Sequence, residues 1–236
     1  MVVRSALLLA AVAGAVTAPE PFNGVSVGIA GRDFVVVGAD ATFRRGDLAF
    51  RNMERTGVAH VAPACVLACV GHRADAARFA EYVKQNLLAY AFLAGAAPTG
   101  AAAAHFVRRE LAERRRGGAG MPQLRVLLGA VDGGGPAKLF WIDETGASTR
   151  LPYAAHGAGQ ALVLGHLDEA YDPDLSRADA VALVGDCLDL LRRRSALAVD
   201  SATIAVLDGG GCETRDWDPP AAPLARKKKG PRPPAA

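Results

Sequence analysis

Short apolar runs separated by turn residues recur along the chain and predict β-hairpins. The first two runs, residues 25–29 and 34–39, flank Gly31-Arg32-Asp33, so this stretch predicts a tight hairpin that closes on Asp40. Further runs predict a hairpin over 58–70 with a break at Pro63, and strands at 123–131, 138–142, 148–152, 201–207 and 213–217. The patterned part of the chain therefore begins and ends with strands.

Between the strands, apolar positions three and four residues apart predict two pairs of helices. In the first pair, one helix runs from Ala74 to just before Gly95. The second follows Thr99 as its N-cap and ends in the arginines of 114–116, whose positive charges suit the negative end of a helix. A solvated helix end explains these arginines better than a nucleic-acid contact does.

The second pair of helices follows the strand at 148–152. Its first helix is predicted to open within residues 156–160 and to end near Tyr171. The next helix begins after Ser176, which with Asp179 resembles a capping box, and it ends in the arginines of 192–194. The order is strands, two helices, strands, two helices, strands, which predicts an α+β fold with two antiparallel sheets flanked by helix pairs, a four-layer αββα sandwich.

Three stretches depart from this pattern. Residues 41–56 are polar and rich in Arg, and they predict an exposed excursion with a short strand. Residues 1–22 form an N-terminal extension whose first 18 residues have the outline of a secretory signal peptide, although a removable or disordered extension, or a misassigned start, fits equally well. Residues 219–236 are rich in Pro, Ala, Lys and Arg and predict a disordered tail, which leaves one folded domain at 23–218.

Composition supports a single globular domain and narrows its partners. Hydrophobic residues make up 51% of the 236 residues and charged residues 22%, enough apolar material for a substantial core. The net charge of +3 comes from the tail, because removing its five basic residues leaves 22 basic against 24 acidic residues. The folded body therefore lacks the basic character of a nucleic-acid-binding protein.

Cysteine and histidine spacing indicates neither disulfides nor a metal site. Cys65, Cys69, Cys187 and Cys212 form no CxxC pair and are predicted to be buried free thiols, which fits a reducing compartment. The five histidines have no metal-ligand spacing on one element, and capping or exposed roles account for them. The Gly-rich segment at 132–136 lacks the helix and Lys of a phosphate-binding loop, so we expect no nucleotide there.

Several phrases of the sequence resemble proteasome β subunits, which have the N-terminal-nucleophile (Ntn) hydrolase fold. They are GIAGRDFVVVGAD, CVGHRADAARFAEYVKQNLLAY and PYAAHGAGQALVLGHLDEAYDPDLSRADAVAL, and the resemblance extends over residues 23–217. Within the family the likeness is greatest to the non-catalytic type-2 branch, notably in FAEYVKQN, FVRRELA, AAHGAG and LDEAYDP. The resemblance implies the same αββα sandwich that the pattern predicts.

Active members of this family use an N-terminal Thr, freed by cleavage after a Gly, whose hydroxyl attacks a peptide carbonyl while its own amine acts as base. Counting back from Asp40, which matches the family's aspartate, places Gly24 at that position, and glycine has no hydroxyl. Asp40 and Gly71 survive from the family's site, and we expect Asp40 to hold the hairpin through backbone hydrogen bonds. Ser26 falls inside the strand, where a nucleophilic role is not expected.

The resemblance implies that the groups that support the nucleophile are also replaced. The family's Lys corresponds to Thr56 or Gly57, so no positive charge is supplied. The Gly-Ser-Gly motif becomes 157–159 with Ala158 at its centre, and the Arg-Asp-x-x-Ser motif becomes 194–198, which loses a carboxylate and a hydroxyl. We therefore expect no catalytic, cofactor-binding or metal-binding residues.

The resemblance thus implies a non-catalytic structural β subunit of the 20S proteasome core particle, which supports ring assembly and ATP- and ubiquitin-dependent protein degradation by the complex. Its expected partners are other β and α subunits in stacked heptameric rings, with neither nucleic acid nor membrane among them. The expected location is the cytoplasm and the nucleus.

Two other functions remain open from the sequence. One is an active Ntn threonine hydrolase with an unrecognised processed terminus, such as Thr17. The other is a secreted binding protein, suggested only by residues 1–18. The free-thiol pattern argues against secretion, as does the basic cluster at 225–233, which resembles a nuclear-import signal as much as a solvated tail.

Overall fold

The computed structural model describes residues 24–45, 48–51, 57–117, 123–133, 135–195 and 199–220, with the backbone alone at 43–45 and 48–51. The predicted extension at 1–22 lies outside these residues, as does the predicted tail from 221 onward. Both remain predictions, and so do the limits of the single domain at 23–218.

Within the described residues, twelve strands and four helices follow one another in nearly the predicted order. They are β1 (Val25–Ala30), β2 (Phe34–Asp40), β3 (Thr42–Arg45), β4 (Leu48–Arg51), β5 (Val58–Ala62), β6 (Cys65–Gly71), α1 (Arg73–Ala94), α2 (Gly100–Arg116), β7 (Leu124–Ala130), β8 (Lys138–Ile142), β9 (Ser148–Leu151), β10 (Tyr153–Gly157), α3 (Gln160–Ala170), α4 (Arg177–Arg194), β11 (Ala202–Asp208) and β12 (Gly211–Trp217).

Ten of these strands form two antiparallel sheets of five. The first has the order β10-β1-β2-β11-β12, so the opening hairpin lies at its centre, and the second runs from β5 to β9 in chain order. The strands β3 and β4 pair only with each other, in a ladder separate from both sheets. The predicted excursion therefore contains two short strands where one was expected.

Two helix starts and one helix end follow the predicted caps. The Thr99 hydroxyl accepts a hydrogen bond from the Ala102 amide at 3.2 Å, and the Ser176 hydroxyl accepts one from the Asp179 amide at 3.2 Å. Gly95 ends α1 in the left-handed conformation, with a φ of 67°. These local signals were strong enough in the sequence to set the boundaries.

Three apolar layers hold the fold together. One lies between the two sheets and includes Val35, Val37 and Leu127. A second lies between the first sheet and the pair α3 and α4, and a third between the second sheet and the pair α1 and α2. This arrangement confirms the predicted four-layer αββα sandwich.

The prediction that the segment 156–160 opens a helix was wrong for residues 156 and 157, which belong to a strand. Tyr153–Gly157 forms β10, an edge strand paired antiparallel with β1, and α3 begins at Gln160. The strand forms because it extends the sheet by pairing with β1, and local periodicity does not report such a distant contact.

Among the described helices, none is long and apolar enough to cross a membrane.

Candidate functional site

Gly24 lies at the head of β1, the position that the resemblance assigns to an N-terminal nucleophile. This residue is partly exposed, and its φ of 97° is one that side-chain-bearing residues rarely adopt. Its carbonyl accepts a hydrogen bond from the Ala158 amide at 3.2 Å. A Cβ atom built on Gly24 would have no heavy atom of the described residues within 4 Å.

The junction between β10 and α3 closes one side of this position. A Cβ atom at Gly157 would lie 2.2 Å from the Gly24 carbonyl oxygen and 3.0 Å from a Val70 methyl group at the end of β6. Only glycine fits this close approach, and Gly157 also has a φ of 98°. The start of β1, the end of β6 and the end of β10 therefore meet at Gly24.

Asp40 lies at the end of β2, where its carboxylate holds the turn into β3. Its Oδ1 accepts a hydrogen bond from the Thr42 amide at 2.8 Å. This is the backbone-holding role that the sequence predicted for Asp40.

Polar groups of the chain's last third join Asp40 at this end of β2. The Thr42 hydroxyl accepts a hydrogen bond from the Asp200 amide at 3.3 Å, and the Ser201 carbonyl accepts one from the Ala41 amide at 2.9 Å. The sequence analysis missed this link, because only the pairing of β2 with β11 brings residues 40 and 200 together.

Gly57 is one of the two positions that the resemblance matches to the family's Lys, and it lies against the end of β2. A Cβ atom on it would be 3.1 Å from the carbonyl oxygens of Ala39 and Asp40. Gly57 therefore lies against the backbone of Asp40, and it carries no side chain. The other position, Thr56, lies outside the described residues.

Ser26 is fully buried in β1, and no hydrogen bond to its hydroxyl is found within the described part of the chain. Its backbone pairs with Ala39 on one side and with His156 on the other. This placement inside the sheet keeps the hydroxyl away from solvent and from an incoming peptide. It agrees with the expectation that Ser26 has no nucleophilic role.

His156 corrects the view that capping or exposed positions account for the histidines. It is fully buried, its ring stacks on Trp141 of the facing sheet at 4.8 Å between centroids, and its Nε2 lies 3.2 Å from the Val126 carbonyl oxygen. Burial, aided by the positive charge of Arg125, lowers the pKa of His156 to about 4. The ring is therefore neutral at physiological pH and joins the two sheets. Sequence reasoning missed it because nothing local marks a histidine as buried.

The four cysteines are free thiols in the structure, as predicted. Cys65 and Cys187 are buried, whereas Cys69 and Cys212 are half-buried. Burial raises the pKa of Cys65, Cys69 and Cys187 to about 12, so these thiols are protonated and are poor nucleophiles. In the regions that the structure describes, no cluster of three or more His, Cys, Asp or Glu side chains is arranged to bind a metal ion.

Comparison with known proteins decides the family. The model of the proteasome subunit family matches residues 22–207, most of the chain. This chain belongs to the proteasome subunit family. Its relatives include a probable proteasome subunit beta type-4 of Neurospora crassa, which is 30% identical over 201 residues, covering 82% of this chain and 95% of the relative.

Other relatives carry the same two type names. The proteasome subunit beta type-2-A of Arabidopsis thaliana is 30% identical over 190 residues, covering 80% of this chain and 92% of the relative. The proteasome subunit beta type-4 of Saccharomyces cerevisiae is 26% identical over 193 residues, covering 81% and 96%. The resemblance stated from the sequence is confirmed, and the chain is a proteasome β-type subunit that assembles with other proteasome subunits.

The resemblance also assigns counterparts to positions 158, 195 and 198. Ala158 is the position that the resemblance matches to a serine of active members, and its amide donates a hydrogen bond to the Gly24 carbonyl. Ser195, at the position of the family's aspartate, ends α4 and donates its hydroxyl to the Leu191 carbonyl at 2.6 Å. Ala198, at the position of the second hydroxyl, lies outside the described residues. Of these positions, Gly24 and Ala158 carry no hydroxyl.

Proposed function

We propose that this chain is a non-catalytic, structural β subunit of the 20S proteasome core particle. The observation that carries the proposal is Gly24 at the head of β1, because a glycine there offers no hydroxyl to attack a peptide carbonyl. The absence of a side chain at Gly57 and of a hydroxyl at Ala158 supports it. Because the αββα sandwich is complete, the subunit can still take its place in the assembled particle.

In this proposal the subunit completes a seven-membered ring and contacts α, β and opposite-ring neighbours in a stack of heptameric rings. It supports ATP- and ubiquitin-dependent protein degradation through the complex, and it resides in the cytoplasm and the nucleus. The stacking and the location come from the resemblance to the family. Fractionation of cells that produce the tagged chain tests the location, and recovery only from the culture medium would contradict it.

The decisive test is the assembly state of the chain together with its mature N-terminus. We expect a C-terminally tagged chain from gently lysed cells to migrate with a particle that contains other proteasome subunits. Mass spectrometry of the N-terminal peptide is expected to find no terminal Thr. Recovery of the chain only as a free monomer would refute the structural role, and a mature terminus at Thr17 would favour the active hydrolase instead.

A further inference from the structure

Two polar side chains, those of Ser26 and His156, are buried between the sheets close to the head of β1. Both residues are fully buried. The Ser26 Oγ and the His156 Nδ1 each lack a hydrogen-bond partner among the described residues. Buried polar atoms are almost always hydrogen-bonded, to protein or to ordered water, because an unpaired polar group is costly to remove from solvent.

These two side chains project into the same space. Ser26 pairs directly with His156 in the register of β1 and β10, and directly opposed residues project to the same face of a sheet, with Cβ atoms about 4.5–5.5 Å apart. That face is turned toward the second sheet. A Cβ atom on Gly28, two residues after Ser26, would lie 2.8 Å from a Leu139 methyl group, and the His156 ring stacks on Trp141. The two unpartnered atoms are therefore neighbours between the sheets.

The other nitrogen of the histidine ring determines what Nδ1 needs. The His156 Nε2 lies 3.2 Å from the Val126 carbonyl oxygen, and a carbonyl oxygen only accepts hydrogen bonds, so Nε2 carries the hydrogen. In the neutral ring Nδ1 is then an acceptor. The Ser26 hydroxyl can donate as well as accept, yet it forms no hydrogen bond with Nδ1.

We propose that one buried water molecule binds between Ser26 and His156. It donates a hydrogen bond to Nδ1 and accepts one from the Ser26 hydroxyl, which satisfies both atoms. Two hydrogen bonds through one water oxygen span about 4.5 Å, which matches the spacing of directly opposed residues. Through Val126, the histidine ring and this water, β7 of the second sheet is linked to β10 and β1 of the first, two residues from Gly24.

A high-resolution crystal structure of the full-length chain, alone or within a particle, tests the site without any substitution. We expect electron density for one water at about 2.7–3.2 Å from both the Ser26 Oγ and the His156 Nδ1. Nitrogen-15 NMR of the imidazole ring should place the hydrogen on Nε2. The inference is overturned by the absence of this density, by direct contact between the hydroxyl and Nδ1, or by a hydrogen on Nδ1.

A double-mutant cycle tests the bridge in solution. Ser26→Ala removes the hydroxyl, and His156→Phe keeps a ring against Trp141 while removing both nitrogens. Either change alone breaks the bridge, so we expect the urea midpoint of the double variant to shift by clearly less than the sum of the two single shifts. Additive shifts would contradict the bridge.

Ser201→Ala is the matched control for this cycle. It also removes a fully buried hydroxyl that lacks a hydrogen-bond partner among the described residues. Ser201 directly precedes β11, which lies three strands away from β10 in the first sheet, so its hydroxyl does not share a water with His156. The midpoint shifts of Ser201→Ala and His156→Phe should therefore add. Coupling as strong as that of Ser26→Ala would show that the cycle does not report the bridge and would overturn the assignment to Ser26.

Discussion

The contact between Gly157 and Gly24 is the tightest in the candidate site. Here the β10 backbone approaches the head of β1 so closely that a side chain on Gly157 would strike a carbonyl oxygen. Residue 24 is a glycine and offers no hydroxyl, and the backbone of β10 packs against it. The two glycines therefore now serve the packing of the sheet edge.

Substitution of Gly157 by Ala should destabilise the fold by more than about 2 kcal/mol, because it adds a backbone clash to an unfavourable positive φ. Urea unfolding of the purified chain measures the change. The matched control is Gly165→Ala on the exposed side of α3, where a Cβ atom meets nothing and the helix should gain about 0.5–1 kcal/mol. Equal effects at the two positions would contradict this account.

His156 should make the fold sensitive to acid. Its pKa of about 4 in the folded chain lies below the ordinary value of 6.5, so the unfolded chain takes up the proton first as pH falls. The stabilising contribution is complete above pH 6.5 and is lost as pH falls toward 4, by about 3 kcal/mol in total. Urea unfolding between pH 7 and 4 measures it.

Two variants isolate the contribution of this histidine. His156→Gln should lower stability at pH 7 and flatten the loss between pH 6.5 and 4, because it removes the titrating ring. His60→Gln, at an exposed position of β5, is the matched control for the loss of a histidine. If His156→Gln and the parent lose stability in parallel, the buried ring is not the source of the acid sensitivity.

Among the elements, α4 shows how local chemistry sets a boundary. The Ser176 hydroxyl accepts from the Asp179 amide and donates to the Asp179 carboxylate at 2.7 Å, which satisfies one of the free amides at the helix start. These residues are three apart, so the sequence alone predicted the start of α4. By contrast, β10 escaped prediction because its strand character comes from pairing with β1, far away in the chain.

Ser176→Ala should cost about 1 kcal/mol through loss of the cap of α4. Ser176→Thr keeps a hydroxyl at the same place and should change stability by a few tenths of a kcal/mol at most. Thermal unfolding of the three proteins compares them. A loss in the Thr variant as large as that in the Ala variant would show that packing, rather than the cap, determines the effect.

At the scale of the whole molecule, the αββα sandwich was predictable because runs of apolar residues and helical spacing are read directly from the sequence. Of the site, Gly24 and Asp40 were predictable through the resemblance. The link from Thr42 to Asp200 and the burial of His156 were not, because each depends on contacts between residues far apart in sequence. The sandwich thus brings together side chains that no local sequence pattern connects.

The central claim is that this subunit keeps the proteasome fold without its nucleophile. Its most direct test treats the purified core particle with an epoxyketone, which reacts with a terminal Thr through both hydroxyl and amine, and then measures the mass of every subunit. We expect active subunits of the same particle to gain the mass of the probe and this chain to remain unmodified. A probe adduct on the first residue of this chain would contradict the account.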